Sequence, residues 1–162
     1  MENRLNEMEI SFVFCDFSNE EHCHGFADLI NHYKADPMGG SKPFTLREQL
    51  YLLDGMANHP ASFVLFAIKG EEIVGLATCF INFSTFKARP YLNIHDVIVK
   101  KMFRGLGIGR RLMERCIEIA SERKYCKVTL EVRYDNSNAQ KLYRSLGFDE
   151  TEPVMHFWSK AL

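Results

Sequence analysis

The stretch Val97-Ile98-Val99-Lys100-Lys101-Met102-Phe103-Arg104-Gly105-Leu106-Gly107-Ile108-Gly109-Arg110-Arg111 is the part of the chain best equipped for chemistry. A β-branched run enters three alternating glycines, which lead directly into a helical pattern. Glycine lets the backbone approach a ligand closely and adopt positive φ. The first turn of the helix adds unpaired N–H groups and the positive end of its dipole. Together these form an anion site suited to a phosphate or pyrophosphate, and Arg104, Arg110 and Arg111 add charge. The order departs from a nucleotide P-loop, because Gly109 is followed by two arginines and not by Lys-Ser or Lys-Thr. A dinucleotide fingerprint would use Glu131 as its ribose-binding acid, but the glycines fall as G-x-G-x-G and not G-x-G-x-x-G. The plain alternative is a glycine turn that only packs a helix on a strand.

The elements that must position this loop are legible around it. Ile10 to Cys15 reads as a first strand, and Ser18 with Glu21 as a capping box for a helix carrying Cys23, Phe26, Ala27, Ile30 and Tyr33. Asp36 to Pro43, with two prolines and two glycines, is a loop. Thr45 with Glu48 opens a second helix through Leu46, Leu50 and Leu53. Strands follow at Phe63 to Ile68, Ile73 to Phe83 and Tyr91 to Val99. Ile108 to about Arg123 is a helix with Leu112, Cys116 and Ile119 on one face, Val128 to Val132 a strand, and Asn138 to Leu146 a short helix ended by Gly147. Met155 to Trp158 is expected to be a last strand. The order predicts an α/β (mixed α+β) domain spanning residues 1–162, with a mixed sheet of about six or seven strands and about four helices covering both faces.

Composition narrows the function. With 162 residues the chain is one domain's worth, and 46% hydrophobic and 25% charged residues are ordinary for a globular protein. Twenty Lys+Arg against twenty-one Asp+Glu give a net charge of -1, so bulk charge does not signal nucleic acid as a partner. No run approaches the roughly 18 apolar residues of a membrane helix. Met1 to Glu7 is polar, without the apolar core of a signal peptide. Five cysteines, an odd count without a C-x-x-C pair, suit the cytoplasm better than a disulfide framework or a cysteine zinc site. His22 and His24 point in different directions on a helix, so no metal is expected.

Two blocks then carry a resemblance. Arg104-Gly105-Leu106-Gly107-Ile108-Gly109 resembles the R-x-x-G-x-G signature of the GNAT N-acetyltransferases, which bind acetyl-CoA. Asn136-Ser137-Asn138-Ala139-Gln140-Lys141-Leu142-Tyr143, running on to Gly147-Phe148, resembles that family's N-x-x-A-x-x-L-Y…G-F segment. The close match covers Tyr91 to Phe148. It implies that Arg104, Gly105, Leu106, Gly107, Ile108, Gly109 and Arg110, with Asn136 and Tyr143, hold the coenzyme, and that a bulge at Ile98 and Val99 aims backbone N–H groups at the thioester. Homodimers are frequent in that family.

Acetyl transfer to an amine needs a base for the ammonium proton, stabilisation of the thioester oxygen, and a proton for the departing thiolate. Tyr143, whose phenol titrates near 10, matches the family's general acid; its plain alternative is a core aromatic. Some relatives carry Glu-Asp where this chain has His95-Asp96. The base is therefore open between His95, Asp96 and a water chain ending elsewhere, and adjacent strand residues face opposite sides unless a bulge intervenes. Resemblance places the acceptor along Asp36 to Pro43 and Phe83 to Tyr91, where Met38, Phe83, Phe86 and Tyr91 form an apolar wall and Asn93 a hydrogen-bonding group, unless these side chains simply fill core. The expected reaction is direct transfer from acetyl-CoA to a small-molecule amine. A protein N-terminus or lysine as acceptor, and a non-catalytic coenzyme-binding module, are the other classes.

Overall fold

The computed structural model describes residues 9–162, so the polar segment Met1 to Glu7 lies outside the described residues. The chain divides into two units, Met1–Glu131 and Val132–Leu162.

The first unit holds one five-stranded sheet in the order β1-β2-β3-β4-β5, made of Ile10–Phe14, Ser62–Lys69, Glu72–Ser84, Arg89–Val99 and Val128–Leu130. The first three pairings are antiparallel, β2–β3 and β3–β4 as expected of strands joined by hairpins and β1–β2 across the two intervening helices, and β4 pairs with β5 in parallel. Helices α1 (Glu20–Ala35) and α2 (Leu46–Ala57) lie against one face. Their core there joins Phe26 and Leu29 to Val64, Phe66, Leu76 and Ile98, with Leu52, Leu53 and Met56 packed beside it. Helix α3 (Ile108–Glu122) covers the other face through Leu112, Met113, Cys116 and Ile119, all buried. Gly75 permits that contact, since a Cβ there would sit 2.8 Å from the Ile98 carbonyl oxygen and 3.3 Å from Leu112 Cδ1.

The capping box at Thr45 and Glu48 forms as the sequence predicts. The start of α1 does not. Asn19 is its N-cap, taking the N–H groups of Glu21 and His22, while Ser18 donates both its N–H and its hydroxyl to Asp16. Ser18 is thereby part of the turn that precedes the helix.

The second unit contains α4 (Ser137–Ser145), capped by Asn136 Oδ1 on the Ala139 N–H at 3.2 Å and followed by Gly147 at φ 86°. Met155 to Trp158, expected as a strand, is irregular, with Met155, Phe157 and Trp158 exposed. A strand requires a ladder partner, and this unit has no other strand among its described residues. The mixed α/β class holds, with five strands among the described residues in place of six or seven.

Candidate acetyl-transfer site

The site is built on β4, which differs from a regular strand twice. The first irregularity is a bulge. Thr78 pairs with Asp96 but Cys79 pairs with Ile94, so His95 has no opposite number on β3. Asp96 shares a face with Thr78, and the His95 ring makes an edge contact with Phe80, two residues along β3 on that same face (centroids 5.5 Å apart). The bulge therefore turns both His95 and Asp96 to the α1–α2 side, where strict alternation would have separated them. His95 is exposed and Asp96 half-buried. Burial pushes the Asp96 carboxyl above the ordinary aspartate range, against the opposing pulls of His95 and Thr78. Thr78 Oγ1 is buried on the face it shares with Asp96.

The second irregularity is the parting of β4 and β5. Their ladder covers only Leu92 to Ile94 against Val128 to Leu130, while β4 runs on to Val99. The bond from Lys100 N–H to the Val74 carbonyl sets the parity of the β3–β4 ladder beyond the bulge. By that parity Ile98 exchanges its bonds with Leu76, and Val97 and Val99 direct their N–H groups away from β3, toward the gap. The bulge lies at His95, three residues before the place expected from the resemblance. The backbone donors facing the gap belong to Val97 and Val99, and the Ile98 side chain is core.

Beyond Val99 a 3-10 turn, Lys101–Phe103, leads to the glycines. Gly105 and Gly107 stand at φ 78° and 77°, and nothing lies within 4 Å of a Cβ built on either. Gly107 is the N-cap of α3 and brings no side chain to cap it. The first-turn amides of Ile108 and Gly109 thus have no intrahelical acceptor, the arrangement that suits an anion. Leu106 is 59% exposed, whereas Ile108 is buried and contributes only its backbone. Arg110 pairs with Glu114 at 3.6 Å. Arg111 turns away from the loop, donating to the Ile10 carbonyl at 3.0 Å and lying over Phe12. Arg104 donates Nε–H to the Val99 carbonyl and pairs with Asp36.

On the face where the acceptor is expected, Asn93 lies with Phe80 and His95 and donates to Thr129 Oγ1 at 3.2 Å and to both oxygens of Glu131 at 3.3 and 3.4 Å. Glu131 ends the first unit exposed at the mouth of the gap. The sequence marks Glu131 only as a possible ribose ligand, because its neighbour across the sheet is 38 residues away. His59, from the segment before β2, packs its ring on Phe80 with centroids 5.0 Å apart, and no motif marked it. Tyr91 shares this face, with Lys127 Nζ 4.8 Å from its ring. Phe83 does not. It is an odd-numbered β3 residue like Cys79, so alternation places it on the opposite face, 61% exposed, and Phe86 is exposed at the hairpin tip. Met38 sits half-buried in the turn after α1. In the second unit Asn136 is the cap of α4, and the half-buried Tyr143 makes an edge contact with Phe148.

The family model described as "Acetyltransferase (GNAT) family" matches residues 15–148. The chain belongs to the GNAT family, enzymes that use acetyl-CoA as co-substrate. It is 39% identical over 93 residues to an uncharacterized N-acetyltransferase of Methanocaldococcus jannaschii, a match covering 57% of this chain and 41% of that one. It is 27% identical to a bovine thialysine N-epsilon-acetyltransferase over 146 residues, 85% of each protein. An N-alpha-acetyltransferase of Sulfurisphaera tokodaii is 30% identical over 67% of this chain and 69% of its own length. Among solved structures, an aminoglycoside acetyltransferase from an uncultured soil metagenomic sample, in complex with sisomicin, has a TM-score of 0.78 at 20% identity, covering 94% of this chain and 97% of that one. That likeness is one of fold.

Proposed function

We propose that this GNAT protein transfers the acetyl group of acetyl-CoA directly to the primary amine of a small molecule, with residues 1–162 acting as one catalytic domain. The β4 bulge carries the reading, because it sets an imidazole and a carboxyl on one face, four residues or fewer before backbone donors that face the gap. The amides from Gly105 to Arg110 take the pyrophosphate, and the Val97 and Val99 N–H groups take the carbonyl oxygens of the coenzyme. His95 accepts the ammonium proton, with Asp96 on the same face of the sheet. The amine nitrogen then bonds to the acetyl carbon, the carbon–sulfur bond breaks, and Tyr143 gives its phenolic proton to the leaving thiolate, while the second proton shed by the nitrogen passes through water to restore the phenol. Met38, Tyr91 and Asn93 line the acceptor. Burial pushes the Cys15 thiol up to about 12, and the contact with Cys116 together with burial raises that of Cys79, which disfavours an acyl-enzyme on either of these two cysteines. The unpaired cysteines suit the reducing cytoplasm.

Relatives named N-alpha-acetyltransferases, from Sulfurisphaera tokodaii and from Arabidopsis thaliana, favour a protein N-terminus as the second reading. Free-thiol release from acetyl-CoA against amines, polyamines, amino acids, aminoglycosides and peptides separates the two, with calorimetric acetyl-CoA binding as control. Release with small amines and not peptides supports the first reading, and the reverse supports the second. Binding without release across the panel would leave a coenzyme-binding module, and absence of binding would remove the assignment of the loop.

A further inference from the structure

The motif arginine was expected on the coenzyme, yet its guanidinium is engaged within the protein. Arg104 Nε–H donates to the Val99 carbonyl at 3.0 Å, at the end of β4, and its NH1 group lies 2.8 Å from Asp36 Oδ2. Asp36 is the residue after α1. Its other oxygen accepts the Met38 N–H at 3.0 Å, and its carbonyl accepts the N–H groups of Gly39 and Gly40 at 2.9 Å each. The Ser41 N–H closes the turn on the Lys34 carbonyl. A second tether lies one helical turn back, where His32 Nε2 accepts the Lys101 N–H at 3.3 Å. The end of α1 thus grips both ends of the 3-10 turn that leads into the glycines.

An exposed ion pair in isolation contributes little. Here the Asp36 side chain is only 15% exposed, and each partner fixes a second backbone group. A planar guanidinium holding a carboxylate and a carbonyl together conveys geometry as well as attraction. One carboxylate therefore joins the loop that meets the coenzyme to the turn that carries Met38 on the acceptor side.

We infer that Asp36 is a positioning residue which, through Arg104, couples coenzyme binding to the ordering of the turn at 36–41. Ordering one end lowers the entropy cost of ordering the other, so a coenzyme that stills the glycine loop also stills the acceptor turn. The inference rests on the acetyl-CoA reading of the loop.

Amide hydrogen exchange on the full chain, with and without CoA, tests it. In the wild type CoA is expected to slow exchange at 36–41 as well as at 105–110. Asp36→Asn keeps an acceptor for the Met38 N–H but loses the charge, and Arg104→Lys keeps the charge but loses the fork. In either variant CoA should still slow 105–110, while its effect at 36–41 falls about fivefold or more, the lower range of measured site-to-site couplings. If one variant fails to fold, the other answers the same question. Slowing confined to 105–110 in the wild type, or variants that keep the full effect at 36–41, would overturn the coupling and leave the coenzyme reading intact. Absence of CoA binding to the wild type would overturn that reading, and the coupling with it.

Discussion

Gly107 is the position where one added methyl group tests the anion loop most directly. Its φ of 77° is left-handed, and it is the residue from which α3 starts. No atom lies within 4 Å of a Cβ placed there, so Gly107→Ala meets no protein neighbour. The cost is the backbone conformation alone, about 1–2 kcal/mol for an L-residue held in that region. The chain can keep the loop and lose that stability, or relax the loop and have the coenzyme restore it on binding. In the second case affinity falls by about 5- to 30-fold, since 1.4 kcal/mol is a factor of ten. Any contact between the methyl group and the pyrophosphate adds to this. Gly107→Asn separates the terms, because asparagine enters the left-handed region at lower cost. It should recover most of the stability lost by the alanine variant while its longer side chain keeps affinity low. Urea midpoints and calorimetric titration with acetyl-CoA measure both quantities on the same preparations. Wild-type affinity in both variants would refute the claim that ligand occupies the open space at Gly107.

The remaining predictions concern the proton path and the frame. Tyr143→Phe should lower turnover more than acetyl-CoA affinity, and a pH–rate profile unchanged from the wild type would remove Tyr143 as the acid. The raised Asp96 carboxyl means that the folded protein holds a proton which the unfolded chain has already released. Wild-type stability should therefore fall as pH rises from the ordinary aspartate range through the raised value, and Asp96→Asn should abolish that fall in urea titrations repeated across pH. Gly75→Ala should destabilise by about 1–3 kcal/mol, because its Cβ would lie 2.8 Å from the Ile98 carbonyl oxygen and press on Leu112. An unchanged melting temperature would argue against that contact between the sheet and α3. Thr45→Ala, which removes one half of a formed capping box, should cost about 1 kcal/mol in the same assay.

Local chemistry is what the sequence alone determined. The strand, three glycines and helix of residues 97–122 were legible because each signal depends on near neighbours: β-branched residues for the strand, positive φ for Gly105 and Gly107, periodic apolar residues for α3. The Thr45–Glu48 box and the Gly147 stop were readable for the same reason. What depended on pairing partners was not. A bulge is a mismatch of register between two strands, so only the alignment of β4 on β3 could bring His95 and Asp96 to one face and assign the gap-facing donors to Val97 and Val99. Alternation counted along β3 likewise moved Phe83 off the face that holds Tyr91 and Asn93. Asn93 met Glu131, and Arg104 met Asp36, 68 residues away, only because the sheet and α1 brought them together. Met155 to Trp158 had a strand's composition but no ladder to join among the described residues of its unit. Composition and spacing record what a residue can do, and tertiary structure decides which neighbour it does it with.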